Sequence, residues 1–229
     1  MADRALIVIN PNSSETVTAG IDAAIDPLRG MGVPIRCETL ASGPPGIESQ
    51  AQSDRVIAPL LDFAATLAPE ALGYVIACFG DPGVWALRDE TDLSVVGIQE
   101  AAIATALTLV QRFGVISILP ASIPRHHRSY AAMGVSSRVA GDRALGRGVA
   151  ALADTHQTQA ALVETGRLLC NEDGAEALIL GCAGMASYRP ALEDALGVPV
   201  IDPCQAAVAM AIGRIALNTS AGPRADFGP

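Results

Sequence analysis

Short, nearly continuous apolar runs alternate along the chain with longer stretches of spaced apolar positions. Ala5-Leu6-Ile7-Val8-Ile9, Tyr74-Val75-Ile76-Ala77-Cys78, Phe113–Leu119 and Ala177–Gly181 are the continuous runs. Such runs mark strands buried on both faces of a parallel sheet. Weaker strand patterns occur at Val33–Leu40, Val95–Ile98, Val135–Val139 and Val198–Ile201. Between them the spacing predicts helices. The first is capped by Ser13 or Ser14 and runs to Leu28, and the second runs from Ile47-Glu48-Ser49 to near Leu67. Others are expected at Val84–Glu90, Glu100–Gln111, Pro124–Met133, Thr158–Asn171, Tyr188–Ala195 and Gln205–Leu217. A serine caps the first, and Gly30, Gly32 and Gly174 punctuate helix ends. Regular strand–helix alternation of this kind predicts an α/β fold with mainly parallel sheets.

The pattern repeats. Pro11 matches Pro120 at an offset of 109, Cys78 matches Cys182 at 104, and Glu100-Ala101-Ala102 matches Gln205-Ala206-Ala207 at 105. A near-constant offset implies two similar α/β units of about four strands each, related by a pseudo-twofold axis. Residues 1–98 with 205–217 are expected to form the first lobe, and 99–204 the second. The tail 218–229, rich in Thr, Ser, Gly and Pro, is expected to be loose.

Composition narrows the function. Of the 229 residues, 50% are hydrophobic but only 3% aromatic, which suits helices packed on parallel strands. A net charge of −9 argues against nucleic-acid binding, which needs a basic face. No apolar run approaches the ~20 residues that span a bilayer. Met1-Ala2-Asp3-Arg4 leads straight into the first strand, so no targeting segment is expected there. The five cysteines, at 37, 78, 170, 182 and 204, show no metal-ribbon or redox-pair spacing. Free thiols in a cytoplasmic protein are therefore expected. The expected partners are a small-molecule substrate and further copies of the same chain, with no cofactor, nucleic acid or membrane.

Two thiols stand apart from the others. Cys78 and Cys182 each end a continuous apolar run and each is followed by a glycine two residues on, in Cys78-Phe79-Gly80-Asp81-Pro82-Gly83 and Cys182-Ala183-Gly184-Met185. Carboxyl ends of parallel strands are where ligands bind. Equivalent positions in two pseudosymmetric units would set the thiols on two sides of one cleft. Opposed acid and base groups on two faces of a carbon are what stereochemical inversion needs. Their placement before helical segments predicts thiol pKa values lowered toward neutrality. The backbone N–H groups of Phe79-Gly80 and Ala183-Gly184 would stabilise a developing enolate oxygen. Cys37, Cys170 and Cys204 are expected to be small core fillers.

Ile9-Asn10-Pro11-Asn12-Ser13, Gly43-Pro44 with Ile47-Glu48-Ser49, Ala77–Gly83, Gly97-Ile98 with Glu100-Ala101-Ala102, Gly181–Met185 and Val200-Ile201-Asp202 together resemble the hydantoin racemase group of the aspartate/glutamate racemase superfamily. The resemblance covers residues 5–215. It implies two flavodoxin-like lobes with the active site between them, cofactor-independent racemisation, and Cys78 and Cys182 as the two bases. Amino-acid racemases of that superfamily carry Cys-Asn-Thr and Cys-Thr-His at these sites, whereas Cys-Phe-Gly and Cys-Ala-Gly here suit a ring such as a hydantoin or allantoin. An amino-acid racemase or a maleate cis–trans isomerase remains the alternative within the superfamily, and a non-catalytic binding protein the alternative outside it. The segment Ile123-Pro124-Arg125-His126-His127-Arg128 is unlike the usual hydantoin racemase sequence.

The other candidates have plainer roles open to them. Asn10 and Asn12 would donate to a ring imide or shape a turn. Phe79, Gly80, Ala183, Gly184 and Met185 would line the substrate site, with Met185 and Trp85 near its rim. Asp81 and Asp202 would bind substrate or cap helices. Of the adjacent His126 and His127 at most one can face the cleft, and exposure of both on a basic helix turn is the expectation.

Overall fold

The computed structural model describes residues 4–219; the expected leader-free start at 1–3 and most of the expected loose tail lie outside them. Among the described residues eight strands form two sheets. The first comprises β1 (Ala5–Asn10), β2 (Ile35–Thr39), β3 (Ala71–Ile76) and β4 (Ser94–Gly97), in the order β2-β1-β3-β4 and parallel throughout. The second comprises β5 (Phe113–Ser117), β6 (Val139–Ala144), β7 (Ala177–Leu180) and β8 (Val200–Ile201), in the order β6-β5-β7-β8, again all parallel. The two orders are the same. That identity is the pseudosymmetry the repeated offsets predict.

Nine α-helices join the strands among the described residues: α1 (Glu15–Ala24), α2 (Gln50–Arg55), α3 (Ile57–Leu67), α4 (Val84–Glu90), α5 (Ile98–Leu109), α6 (Ile123–Ala132), α7 (Thr155–Asn171), α8 (Arg189–Leu196) and α9 (Pro203–Ala216). Their starts obey local chemistry. Ser14 accepts the Val17 N–H to begin α1, Ser49 forms a capping box with Gln52 at α2, and Asp202 accepts from Cys204 and Gln205 at α9. Gly197, left-handed at φ 68°, ends α8. The first expected helix is shorter than its pattern: α1 stops at Ala24, and Pro27 falls in a separate 3₁₀ segment, Asp26–Met31.

One strand lies further along the chain than its pattern suggests. The sequence points to Val135–Val139, but Ser136–Arg138 is a 3₁₀ turn and the strand is Val139–Ala144. β6 is the edge of its sheet and only half-buried, so Arg143 fits at its surface, while Asp142 is accommodated because donors from β5 and α6 meet its inward-turned carboxylate. Its apolar signal is correspondingly weak.

Three clusters hold the fold. One packs the outer face of the first sheet against α3 and α4, through Ile7, Ile9, Leu60, Ala64, Val84 and Leu87. A second packs the second sheet against α7 and α8, through Ile116, Leu162, Leu169, Leu178 and Leu192. The third lies between the lobes and draws on both, including Val8, Val75, Ile103, Val115, Ile179 and Val208. Within it α5 and α9 pack on each other, α9 reaching back onto β3 and β4 and α5 onto β7. The lobes thus share one continuous core. No helix among the described residues is long and apolar enough to cross a membrane.

Candidate active site

In each sheet the chain leaves the central strand in one direction and returns on its other side, so the switch point lies between β1 and β3, and between β5 and β7. Crevices at such points, beyond the carboxyl ends of the strands, collect ligand-binding loops. Cys78 comes just after β3 and Cys182 just after β7, each at the switch point of its own lobe. The lobes face each other there. Cys78 and Cys182 line a single cavity together with Asn12, Val17, Ile47, Phe79, Ile118, Ser122, Arg125, Val149, Ala183 and Gly184. The space is closed down to about 20 Å³, roughly the room for one ordered water. A larger hollow of about 540 Å³ adjoins it through the shared residues Val17, Val149 and Gly184.

Burial holds both thiols neutral. It pushes Cys78 up to about 12, helped by the neighbouring Cys182 and opposed by the positive charge of Arg125. It pushes Cys182 up to about 11, opposed by the Gly184 N–H that points at its sulfur and helped by Glu48. The lowering expected from sequence does not occur in this closed state. Cys78 lies six residues ahead of α4, whose first residue is Val84, and a helix dipole fades within about one turn. Cys182 sits directly before the 3₁₀ turn Ala183–Tyr188 and gains one N–H from it, too little to offset the dry cavity. The Cys78 thiol donates to the Phe79 carbonyl at 3.8 Å.

Of the ten expected site residues the structure brings six to the cavity wall: Asn12, Cys78, Phe79, Cys182, Ala183 and Gly184. The other four stand behind it. Asn10 is buried and spends its amide on Asn12, Ser14 and Thr18, which shapes the loop after β1. Asp81 accepts the Gln99 and Glu100 N–H groups at 2.8 Å each, so it caps α5 rather than facing the cavity. Gly80, at φ 113°, is covered by the side chain of Arg125. Met185 is fully buried in the second lobe's core, not at the rim. Trp85 is 71% exposed and stacks under Arg88 at 4.7 Å, well outside the cleft expected for it. Asp202 caps α9, again a structural task.

The histidines diverge as adjacent helical residues must, but not as expected. His127 is exposed, as expected, and borders a separate hollow with Tyr130 and Asp142, whereas His126 is 1% exposed. The His126 Nδ1–H donates to Asp142 Oδ2 at 3.0 Å, and Ser117 Oγ and Tyr130 OH also donate to that carboxylate. The imidazole packs edge-on against Phe79. His126 therefore stands one layer behind the cavity, supporting a residue that lines it.

Two polar wall residues escaped the sequence reading: Ser122 and Arg125. Both sit where α6 begins, both are buried, and the Ser122 Oγ, Arg125 Nε and Arg125 Nη1 have no hydrogen-bond partner among the described residues. The available signal was the departure of residues 123–128 from the usual pattern.

A family model for Asp/Glu/hydantoin racemases matches residues 6–211. The chain belongs to this family. It is 36% identical to a hydantoin racemase from Paenarthrobacter aurescens, over 93% of this chain and 92% of that protein. The identity to a hydantoin racemase from Rhizobium meliloti is also 36%, over 95% and 94%. Among solved structures, allantoin racemase from Klebsiella pneumoniae superposes with a TM-score of 0.88 at 31% identity, covering 97% of this chain and 95% of that one. The chain is accordingly an isomerase, a racemase of the Asp/Glu/hydantoin family, with the two-lobed α/β fold of its structural relatives.

Proposed function

We propose that this racemase inverts a carbon acid next to a carbonyl, without a cofactor, using Cys78 and Cys182 as acid–base partners on opposite faces of the substrate carbon. One observation carries the reading: two thiols, delivered by equivalent strand ends of two like lobes, line one cavity. In each turnover one sulfur, as thiolate, takes the proton from carbon, and the opposite thiol returns its own proton from the other face. The negative charge has then moved from one sulfur to the other. Either direction of reaction, or exchange with water, resets the pair. The Asn12 amide lies on the cavity wall and suits a carbonyl oxygen that gains charge.

The walls and the relatives together indicate the substrate class. Neither cysteine is followed by a side chain with a hydrogen-bond donor: Phe79-Gly80 and Ala183-Gly184 take those places. Ile47, Ile118, Val17 and Val149 add apolar surface. A five-membered cyclic ureide, a 5-substituted hydantoin or allantoin, fits such walls, and the names of the relatives point the same way. The cavity as it stands is too small for that ring, so binding requires the lobes or the Val149 segment to part.

The test is incubation of single enantiomers of 5-substituted hydantoins and of allantoin in heavy water, with optical rotation and deuterium at the reacting carbon as readouts. Loss of rotation together with deuterium uptake, each above the spontaneous rate, is expected. No enzymatic exchange in any cyclic ureide would overturn the substrate assignment.

A further inference from the structure

Arg125 is 7% exposed and carries its charge into the two-thiol cavity, where no carboxylate among the described residues lines the wall. Its Nε and Nη1 make no hydrogen bond among the described residues. Ser122, 1% exposed, lines the same cavity three residues earlier, and its Oγ is also without a partner. Residues three apart on a helix share a face, so the hydroxyl and the guanidinium point to one corner. That corner lies at the positive end of α6, whose N-cap Ser122 makes no side-chain capping bond.

Buried polar groups are nearly always hydrogen-bonded, and buried charges nearly always paired. Other largely covered arginines follow this rule: Arg88 pairs with Glu100 and the Val95 carbonyl, and Arg143 with Asp173. An orphaned cation, an orphaned hydroxyl and a helix N-terminus converging on one cavity wall make a site that is incomplete without an anion. Guanidinium matches carboxylate in shape and charge better than it matches a neutral carbonyl. Gly80 permits this arrangement. A Cβ there would come 3.2 Å from Arg125 Nε, so a side chain would push the guanidinium off the wall.

We propose that Ser122 and Arg125 form a carboxylate subsite within the racemase cavity, and that the preferred substrate carries an anionic side chain beside its reacting carbon. The inference rests on the two-thiol racemase reading and narrows it: among cyclic ureides, those bearing a short carboxylate arm are favoured over neutral ones of the same shape. Arg125 then acts as a specificity-determining residue. The arrangement also explains how a strongly acidic protein draws in an anionic ligand, since the local charge opposes the net −9.

The experiment compares single enantiomers of 5-(2-carboxyethyl)hydantoin with its near-isosteric amide, 5-(2-carbamoylethyl)hydantoin. Wild-type protein should show kcat/KM at least about tenfold higher for the acid, the scale of one charge-assisted pair. In Arg125→Gln that ratio should fall to about one, with Arg125→Lys in between. A wild-type ratio near one, or a ratio unchanged in Arg125→Gln, would overturn the proposal. Arginine serving only the enolate would lower both substrates together and leave the ratio intact. An independent arm does not depend on racemisation: alkylation of Cys78 by iodoacetate against iodoacetamide, read by peptide mass spectrometry. The iodoacetate/iodoacetamide ratio at Cys78 should exceed that at Cys170 by about tenfold in wild type, and the excess should vanish in Arg125→Gln. If neither hydantoin is racemised, the racemase reading of the substrate fails while the alkylation ratio still decides the subsite. No excess at Cys78 would sink the subsite even if both hydantoins react.

Discussion

The imidazole of His126 stands edge-on to the ring of Phe79, with centroids 4.9 Å apart and planes at 75°. Phe79 belongs to the first lobe and lines the cavity beside Cys78; His126 belongs to the second lobe. Behind the imidazole, the fully buried carboxylate of Asp142 collects His126, Ser117 and Tyr130. A polar network in one lobe thus sets the position of a wall supplied by the other.

His126→Ala should cost about 2–4 kcal/mol in urea unfolding, because it leaves a buried carboxylate short of a donor and Phe79 without backing. Racemisation should fall with it. Tyr130→Phe, which removes one hydrogen bond and keeps the ring, should cost nearer ~1–2 kcal/mol. Equal unfolding midpoints for His126→Ala and wild type would show that the network does not support the wall.

A Cβ on Gly97 would lie 2.2 Å from the Asp81 carboxyl carbon. Only glycine lets that carboxylate reach the Gln99 and Glu100 N–H groups and so start α5, the helix at the centre of the inter-lobe core. Gly97→Ala should destabilise by at least about 2 kcal/mol through this overlap. Burial raises Asp81 from 3.8 to about 7. A raised folded value means that its contribution is fully present below pH ~4 and is lost as pH rises through about 7. Asp81→Asn should therefore flatten the stability profile between pH ~4 and ~7, measured by urea midpoints across that range. An unchanged slope would show that Asp81 is ionised at a lower pH than its burial implies.

The thiols set an alkaline limit by the same sign. Cys78 and Cys182, raised from 9.0 to about 12 and about 11, contribute stability that is whole below pH ~9 and disappears as pH climbs through those values. Each should add a slope of about 1.4 kcal/mol per pH unit above pH ~9. Cys78→Ser should reduce the total slope by one such unit, in a comparison with wild type at pH ~9–11. Racemisation should rise with pH from ~7 to ~9, since the thiolate proposed as base is scarce in the closed cavity. A flat rate over that range would mean that substrate binding alone ionises the pair.

Glu48 crosses between the lobes: its Oε1 accepts the Val149 N–H at 2.8 Å and pins the Val149–Ala153 segment over the cavity. Its charge also raises Cys182. Glu48→Ala should speed iodoacetamide labelling of both cavity thiols severalfold, Cys182 most, while Cys170 labels as before. Glu48→Gln, which keeps an acceptor, should change less. Unaltered labelling would show that the strap does not gate the thiols.

The sheets and the two thiols were legible because their signals are local. Continuous apolar runs name the central strands, and the near-constant offset names the repeat that brings Cys78 and Cys182 together. What the sequence hid depends on contacts across the chain. β6 carries glycine and charge because it is an edge, and Asp142 within it is buried only through three distant donors. The thiol pKa values depend on how tightly the lobes close, which no spacing reports. Arg125 reads as one more basic residue on a helix turn until the fold leaves it without a partner in the cavity.

The division of labour between the thiols gives the sharpest test of the mechanism. If they serve opposite faces of one carbon, replacing one should harm the two enantiomers differently. Serine keeps the size of cysteine but has no usable acidity near neutral pH, so it cannot act as the base. Cys78→Ser should retain deuterium exchange only for the enantiomer whose hydrogen faces Cys182. That enantiomer should exchange without net inversion, because no thiol remains on the far side to deliver a proton. Cys182→Ser should show the mirror pattern, and the double variant should do neither. General acid–base groups contribute about 10²–10⁴-fold, so net racemisation in each single variant should drop by at least about a hundredfold. Proton NMR in heavy water and polarimetry on the same samples separate exchange from inversion. Retention of inversion in both directions by either single variant would mean that one thiol suffices, and the cavity would then work by a different mechanism.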